Sequence, residues 1–171
     1  MSLRPAVSNN EDHIQGDVNA TITLVEYGDY QCPHCGHAYP IIKEVQQKLG
    51  DQLKFVFRNF PLANIHPEAT QAAIATEAAA LQGKYWEMHD IVFENQKRLH
   101  YNAILEYANA VGLDIEQFEQ DMQSEELSQK VEQHFESGVR SGVNGTPTFF
   151  INGDKYNGDW TTDLLADLEA I

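Results

Sequence analysis

The chain has 171 residues, enough to bury a self-sufficient core in one domain of ordinary size or in a small domain carrying an insertion. Apolar residues make up 42% and charged residues 22%, with no low-complexity block or fixed-period repeat, which points to a soluble globular protein. Twenty-six acids against 11 bases leave a formal charge of −15, a field that repels nucleic acid, and no run of about 18 apolar residues offers a membrane span.

The opening Met1-Ser2-Leu3-Arg4-Pro5 lacks the apolar stretch of an export signal, so the expectation is a cytoplasmic location; if a signal was trimmed, the alternative is periplasmic or otherwise extracytoplasmic. Residues 4–20 are polar, with Asn9-Asn10 and Gly16-Asp17 among them, and predict an extended arm with little regular structure. Thr21 to Tyr27 is rich in β-branched residues and stops at Gly28-Asp29, the pattern of a buried central strand. Past Pro33, Ala38, Ile41, Ile42, Val45 and Leu49 recur at helical spacing and Gly50 supplies a stop. Pro33 suits a first helical turn, whereas Pro40 removes an internal hydrogen bond and predicts a kink. Leu53 to Phe60 returns as a strand before Pro61, completing a right-handed βαβ unit.

Between residues 62 and 142 no strand-like run intervenes. Amphipathic or Ala-rich pieces follow one another at about Pro67 to Leu81, Lys84 to Gln96, Asn102 to Val111, Asp114 to Met122 and Glu125 to Val139. Thr148 to Ile151, the turn Asn152-Gly153 and Lys155 to Asn157 predict an antiparallel hairpin. Thr161 or Thr162 then caps a closing helix whose apolar stripe is Leu164, Leu165 and Leu168. The expected organisation is α/β: an arm and first βαβ half over 1–61, a helical insertion over 62–142, and a ββα second half over 143–171.

The only cysteines, Cys32 and Cys35, lie so close that a disulfide between them would constrain little of the unfolded chain, which points to chemistry rather than stapling. Disulfide exchange needs a thiolate, and an unperturbed thiol titrating near ~8.5 supplies little of it at neutral pH. Cys32 falls at the strand-to-helix junction as an N-cap, where unpaired N–H groups and the positive end of the helix dipole converge. Pro33 opens that helix, and His34 offers a positive charge or a hydrogen bond to the sulfur. Cys35, one turn inward, is placed to attack a mixed disulfide formed at Cys32, but burial leaves it needing a proton acceptor. Glu26 shares strand parity with Ile22 and Leu24 and so faces a buried side, where desolvation raises a carboxyl into the range useful for that role. The alternative for Glu26 is an exposed acid at the strand end.

The pair together with His34 or His37 could instead hold zinc in an interaction module without turnover, although structural zinc sites usually draw on two ligand pairs from separated segments. His13, His66, His89, His100 and His134 sit at predicted arm and helix ends and are assigned no chemistry. Tyr85, Trp86, Met88, Ile91, Val92 and Phe93 read as helix core, and Glu116 to Glu126 as a solvated face.

Glu26-Tyr27-Gly28-Asp29-Tyr30-Gln31-Cys32-Pro33-His34-Cys35, followed far downstream by Gly145-Thr146-Pro147-Thr148-Phe149, resembles the DsbA-like oxidoreductases of bacteria, and the resemblance runs from about His13 to Trp160. It implies a thioredoxin-like fold, a central mixed sheet flanked by helices, with an inserted all-helical subdomain. It implies Cys32 as nucleophile, Cys35 as resolving thiol and Glu26 as the buried acid beneath them. It further implies a cis bond before Pro147, with Thr146 and Pro147 lying against the cysteines and leaving backbone groups free to pair with an extended substrate. No metal or organic cofactor is implied, since the redox-active disulfide Cys32–Cys35 is itself the reagent. The partners implied are protein or peptide thiols and a redox partner that recycles the pair. A glutathione-dependent transferase or isomerase on a related scaffold is the rival, and the complete cysteine pair counts against it. The polar opening is similar to that of signal-less relatives, some fused to antiporters, so oxidase and reductase directions both stay open.

Overall fold

The computed structural model describes residues 1–171. Five strands form one mixed sheet: β1 (Ile14–Gly16), β2 (Ile22–Gly28), β3 (Leu53–Asn59), β4 (Thr148–Ile151) and β5 (Asp154–Lys155), in spatial order β1-β3-β2-β4-β5. β2 is central because its side chains are apolar on both faces. Leu24 and Glu26 face one side and Val25 and Tyr27 the other, and all four are buried. It pairs in parallel with β3, setting Glu26 beside Phe57 and Gly28 beside Asn59, and antiparallel with β4, setting Glu26 beside Phe149 and Tyr27 beside Thr148.

Helix α1 (Pro33–Leu49) connects β2 to β3 and continues through Pro40. Cys32 holds the N-cap position in an extended conformation, φ −71° and ψ 124°, and Pro33 supplies the first turn with a residue whose missing N–H costs nothing there. Cys35, Ala38, Ile42, Val45 and Leu49 form the buried stripe, and Gly50, at φ 51°, ends the helix in a conformation that disfavours a side chain.

Five helices follow: α2 (Ala69–Leu81), α3 (Tyr85–Glu94), α4 (Tyr101–Ala110), α5 (Ile115–Met122) and α6 (Glu125–Arg140). In α2 the buried side chains are mostly alanines, Ala69, Ala72, Ala73, Ala75, Ala78 and Ala79, so neighbouring helices can approach it closely. Asn152 and Gly153, at φ 50° and 89°, supply the two positive-φ residues of the tight β4–β5 turn. The last helix, α7 (Leu164–Glu169), begins later than the sequence suggests, with Asp163 rather than Thr161 or Thr162 at the N-cap position. The Thr161 N–H is instead taken by the Asp159 carboxylate at 3.0 Å, which keeps the threonines in the preceding turn.

The larger core fills the sheet face that carries Leu24, Phe55, Phe57 and Phe149, beneath α1 and the inserted helices. A smaller one, with Val25, Tyr27, Val56, Phe60 and Phe150, covers the other face and includes Leu3 and Val143. The arm expected over 4–20 has regular structure only at β1, and just ahead of the arm Leu3 is buried. Its N–H bonds the Gly153 carbonyl at 2.8 Å, and residues 14–16 pair with β3 as an edge strand. Between these points the Asp12 carboxylate forms a two-pronged ion pair with Arg58, at 2.8 and 2.9 Å. A polar composition concealed these attachments because each is short, a single residue or three.

Candidate active site

The cysteine pair stands where β2 hands over to α1. The chain turns through residues 29–31, with the Cys32 N–H donating to the Asp29 carbonyl at 3.1 Å, and enters the helix at Pro33. Cys32 Sγ therefore lies over the free N–H groups of the first helical turn. The hydrogen bond from the Cys35 thiol is the largest influence on Cys32. Together with the Thr146 side chain and the N–H groups of Cys35 and His34, it brings Cys32 down to about 5 against the opposing effect of burial. Cys32 is 3% exposed and Cys35 fully covered, so Cys32 is the sulfur that an incoming group can meet.

Burial pushes the Cys35 thiol well above its ordinary range. Its bond to Cys32 and the charges of Glu26 and Cys32 act in the same direction, while the Asp29 N–H, 3.4 Å from Sγ, pulls the other way. Glu26 is buried, as its strand parity requires, and its Oε2 has no hydrogen-bond partner. Burial first, and then the negative charge of Cys32, push its carboxyl up to about 8. Gly28 makes room for it: a Cβ there would lie 2.8 Å from Oε2 and 2.5 Å from the Phe57 ring.

The Thr146–Pro147 peptide bond is cis, and the Thr146 carbonyl lies 3.8 Å from Cys32 Sγ, a long contact in which the thiol donates. The Thr146 hydroxyl is buried without a hydrogen bond to the neutral thiol, which leaves it as a donor able to turn onto the sulfur once the proton departs. The His34 ring is exposed and forms no hydrogen bond, so what His34 contributes to Cys32 is its main-chain N–H.

Two residues that sequence reasoning passed over also hold this turn. Gln96, just beyond α3, donates through Nε2 to the carbonyls of Tyr30, at 2.9 Å, and Cys32, at 2.7 Å. Its amide lies so close to Gly36 that a Cβ there would overlap it. Asp29 is buried and accepts from Gln31, Leu62 and His66. Nothing in the sequence marks Gln96, whereas Asp29 reads as an ordinary turn residue after a glycine. Among the remaining histidines, His89 is a core residue, 4% exposed and hydrogen-bonded through Nδ1 to the Tyr30 hydroxyl at 2.8 Å. His13 pairs with buried Glu77 at 2.9 Å, and His134 accepts from the Asn59 N–H at 3.1 Å. No group of three or more His, Cys, Asp or Glu residues is arranged to hold a metal ion.

Residues 8–168 match the family described as Thioredoxin. The chain belongs to that thioredoxin family. BdbD of Bacillus subtilis, in its oxidised form, superposes on this thioredoxin-family chain with a TM-score of 0.81 at 22% identity, covering 95% of this chain and 92% of BdbD. A thioredoxin-like oxidoreductase from Silicibacter pomeroyi gives 0.78 at 26% identity, covering 94% and 92%. By sequence, the thioredoxin-family chain is 44% identical over 171 residues to a Na(+)/H(+) antiporter, NhaA 1, of Mycolicibacterium vanbaalenii, and 40% identical over 171 residues to NhaA of Herminiimonas arsenicoxydans. Those matches take in 98% and 99% of this chain but 28% and 27% of the antiporters, so it spans under a third of their length. No helix of the thioredoxin-family chain is long and apolar enough to cross a membrane.

Proposed function

We propose that the chain is a protein thiol–disulfide oxidoreductase that exchanges a Cys32–Cys35 disulfide or dithiol with protein or peptide thiols. The observation that carries this reading is the opposite treatment of two neighbouring sulfurs: Cys32 is brought down to about 5, while Cys35 is held well above its ordinary range. Such a pair has one ready nucleophile and one reserve thiol.

In the reducing direction, the Cys32 thiolate attacks a substrate disulfide, an Sγ–S bond forms, and one substrate sulfur leaves as a thiolate. Cys35 then loses its proton to Glu26 and attacks Cys32 Sγ. The Cys32–Cys35 bond closes, the second substrate sulfur departs, and the substrate has gained the two electrons the pair has lost. The oxidising direction is the same sequence reversed. Thr146 and Pro147 border Cys32, and an extended substrate segment docks its backbone there. Pro33 fixes the first turn that presents the sulfur. The chemistry needs no metal or organic cofactor, only a redox partner that recycles the pair.

The test is exchange by Cys32→Ser. Insulin reduction and dithiol-peptide oxidation should both vanish, and a variant that keeps either activity would refute the reading. The reduction potential of the pair, set against glutathione, then assigns the direction.

A further inference from the structure

Asp29 commits every polar atom it has. Oδ1 accepts from the Gln31 N–H at 2.8 Å; Oδ2 accepts from the Leu62 N–H at 2.9 Å and from His66 Nδ1 at 2.7 Å. Its carbonyl accepts from the Cys32 N–H at 3.1 Å, and its own N–H points at Cys35 Sγ from 3.4 Å. The side chain is fully covered. An aspartate that only formed a turn would need the Gln31 contact alone. Here two further donors come from the segment beyond β3, over thirty positions away, and fasten that segment to the redox turn.

The resolving sulfur is the one that needs help. Cys35 is wholly buried, and the sulfur must carry negative charge as it attacks. A main-chain N–H is a fixed dipole that meets such a charge without rearranging.

We propose that Asp29 is a positioning residue for the resolving step, its carboxylate anchored on Gln31, Leu62 and His66 so that its backbone N–H stays aimed at Cys35 Sγ. The inference rests on the exchange reading above. The bond at stake is the one between Cys35 and Cys32: the Cys35 proton goes to Glu26, the new S–S bond forms, and the substrate thiolate leaves. The N–H survives any change of side chain; only its placement is lost.

The test uses the full chain and a glutathionylated peptide as substrate. Stopped-flow mixing separates formation of the Cys32 mixed disulfide from its resolution, and alkylation by iodoacetamide in a Cys35→Ser background reports Cys32 alone. In Asp29→Ala, resolution should slow by about tenfold, the effect of one hydrogen bond to a charged atom, while Cys32 alkylation stays within about twofold. The pH profile of resolution should move upward. Equal slowing of both steps, or none, overturns the proposal. If Asp29→Ala does not fold, the Asp29 amide resonance in a Cys32→Ser chain carries the test: it should shift as Cys35 ionises, and an amide blind to that ionisation also overturns it. Failure of the unaltered chain to form any mixed disulfide would instead sink the exchange reading, and the amide titration would still report on Asp29.

Discussion

At the scale of single residues, the two sulfurs and one carboxyl set each other's behaviour. Because the Cys35 thiol is the largest influence lowering Cys32, Cys35→Ala should let Cys32 titrate well above about 5, toward an ordinary thiol. Ultraviolet thiolate absorbance followed against pH measures this directly, and an unmoved midpoint would assign the lowering to the helix terminus alone. Glu26 carries the opposite sign. Its carboxyl is raised from 4.5 to about 8, so the cost of burying its charge is absent below 4.5 and accumulates as pH rises toward 8. Glu26→Gln should therefore match the parent near pH 4 and become progressively more stable than it up to about pH 8, while resolving mixed disulfides more slowly. Denaturant midpoints across that range give the answer; a pH-independent difference would contradict it. The neighbouring sulfurs at the strand-to-helix junction and the buried carboxyl were legible from spacing and strand parity. Asp29 and Gln96 were not, because what matters about them is a partner distant in sequence, and a side-chain amide reaching a carbonyl leaves no pattern of its own.

At the scale of elements, the seam between the arm, β3, α2 and α6 is built from buried charges. Burial alone would raise Glu77, but His13, Lys130 and His134 together hold it at about 2, against an ordinary 4.5. Burial drives His134 down to about 4 from 6.5. Both groups have folded values below their unfolded ones, so both favour the folded state above the unfolded value and lose that contribution on acidification. Stability should begin to fall once pH drops under 6.5, as His134 resists its proton, and fall further from 4.5 toward about 2 as Glu77 is neutralised. In Glu77→Gln the second part of that decline should shrink, leaving the share of Asp12, whose carboxyl is also lowered, as read by circular dichroism along an acid titration. Element boundaries were mostly readable, since the five inserted helices are punctuated by amphipathic repeats and glycines. Less readable was the start of α7, where Asp159 accepts the Thr161 N–H and so holds both threonines in the turn ahead of the helix. The short β1 strand was missed for another reason: three residues are too few to show alternation.

For the molecule as a whole, holding Cys32 as an anion couples redox state to stability. The sulfur is lowered from 9 to about 5 in the reduced chain, so the contribution is complete above 9, shrinks as pH falls and is gone below about 5. The reduced form should thus gain on the oxidised form as pH rises through that window. Paired thermal melts with and without reductant would show it, and a constant gap would mean that the anion is not specially stabilised. Overall charge belongs to this scale too, because a net −15 is a property of the surface and says nothing about which residues meet at the site.

The grip of Asp12 on Arg58 has a practical outcome for anyone trimming this protein. Replacing Asp12 by Ala would leave a guanidinium that is 3% exposed without its carboxylate, and removing one member of a buried ion pair costs about 3 to 5 kcal/mol, a large share of what a domain has to spare. A version starting at residue 14 would keep all five strands and seven helices but lose that carboxylate together with the Pro5 and Ala6 carbonyls. The minimal folding unit therefore begins ahead of the first strand, at a stretch that looks dispensable on paper.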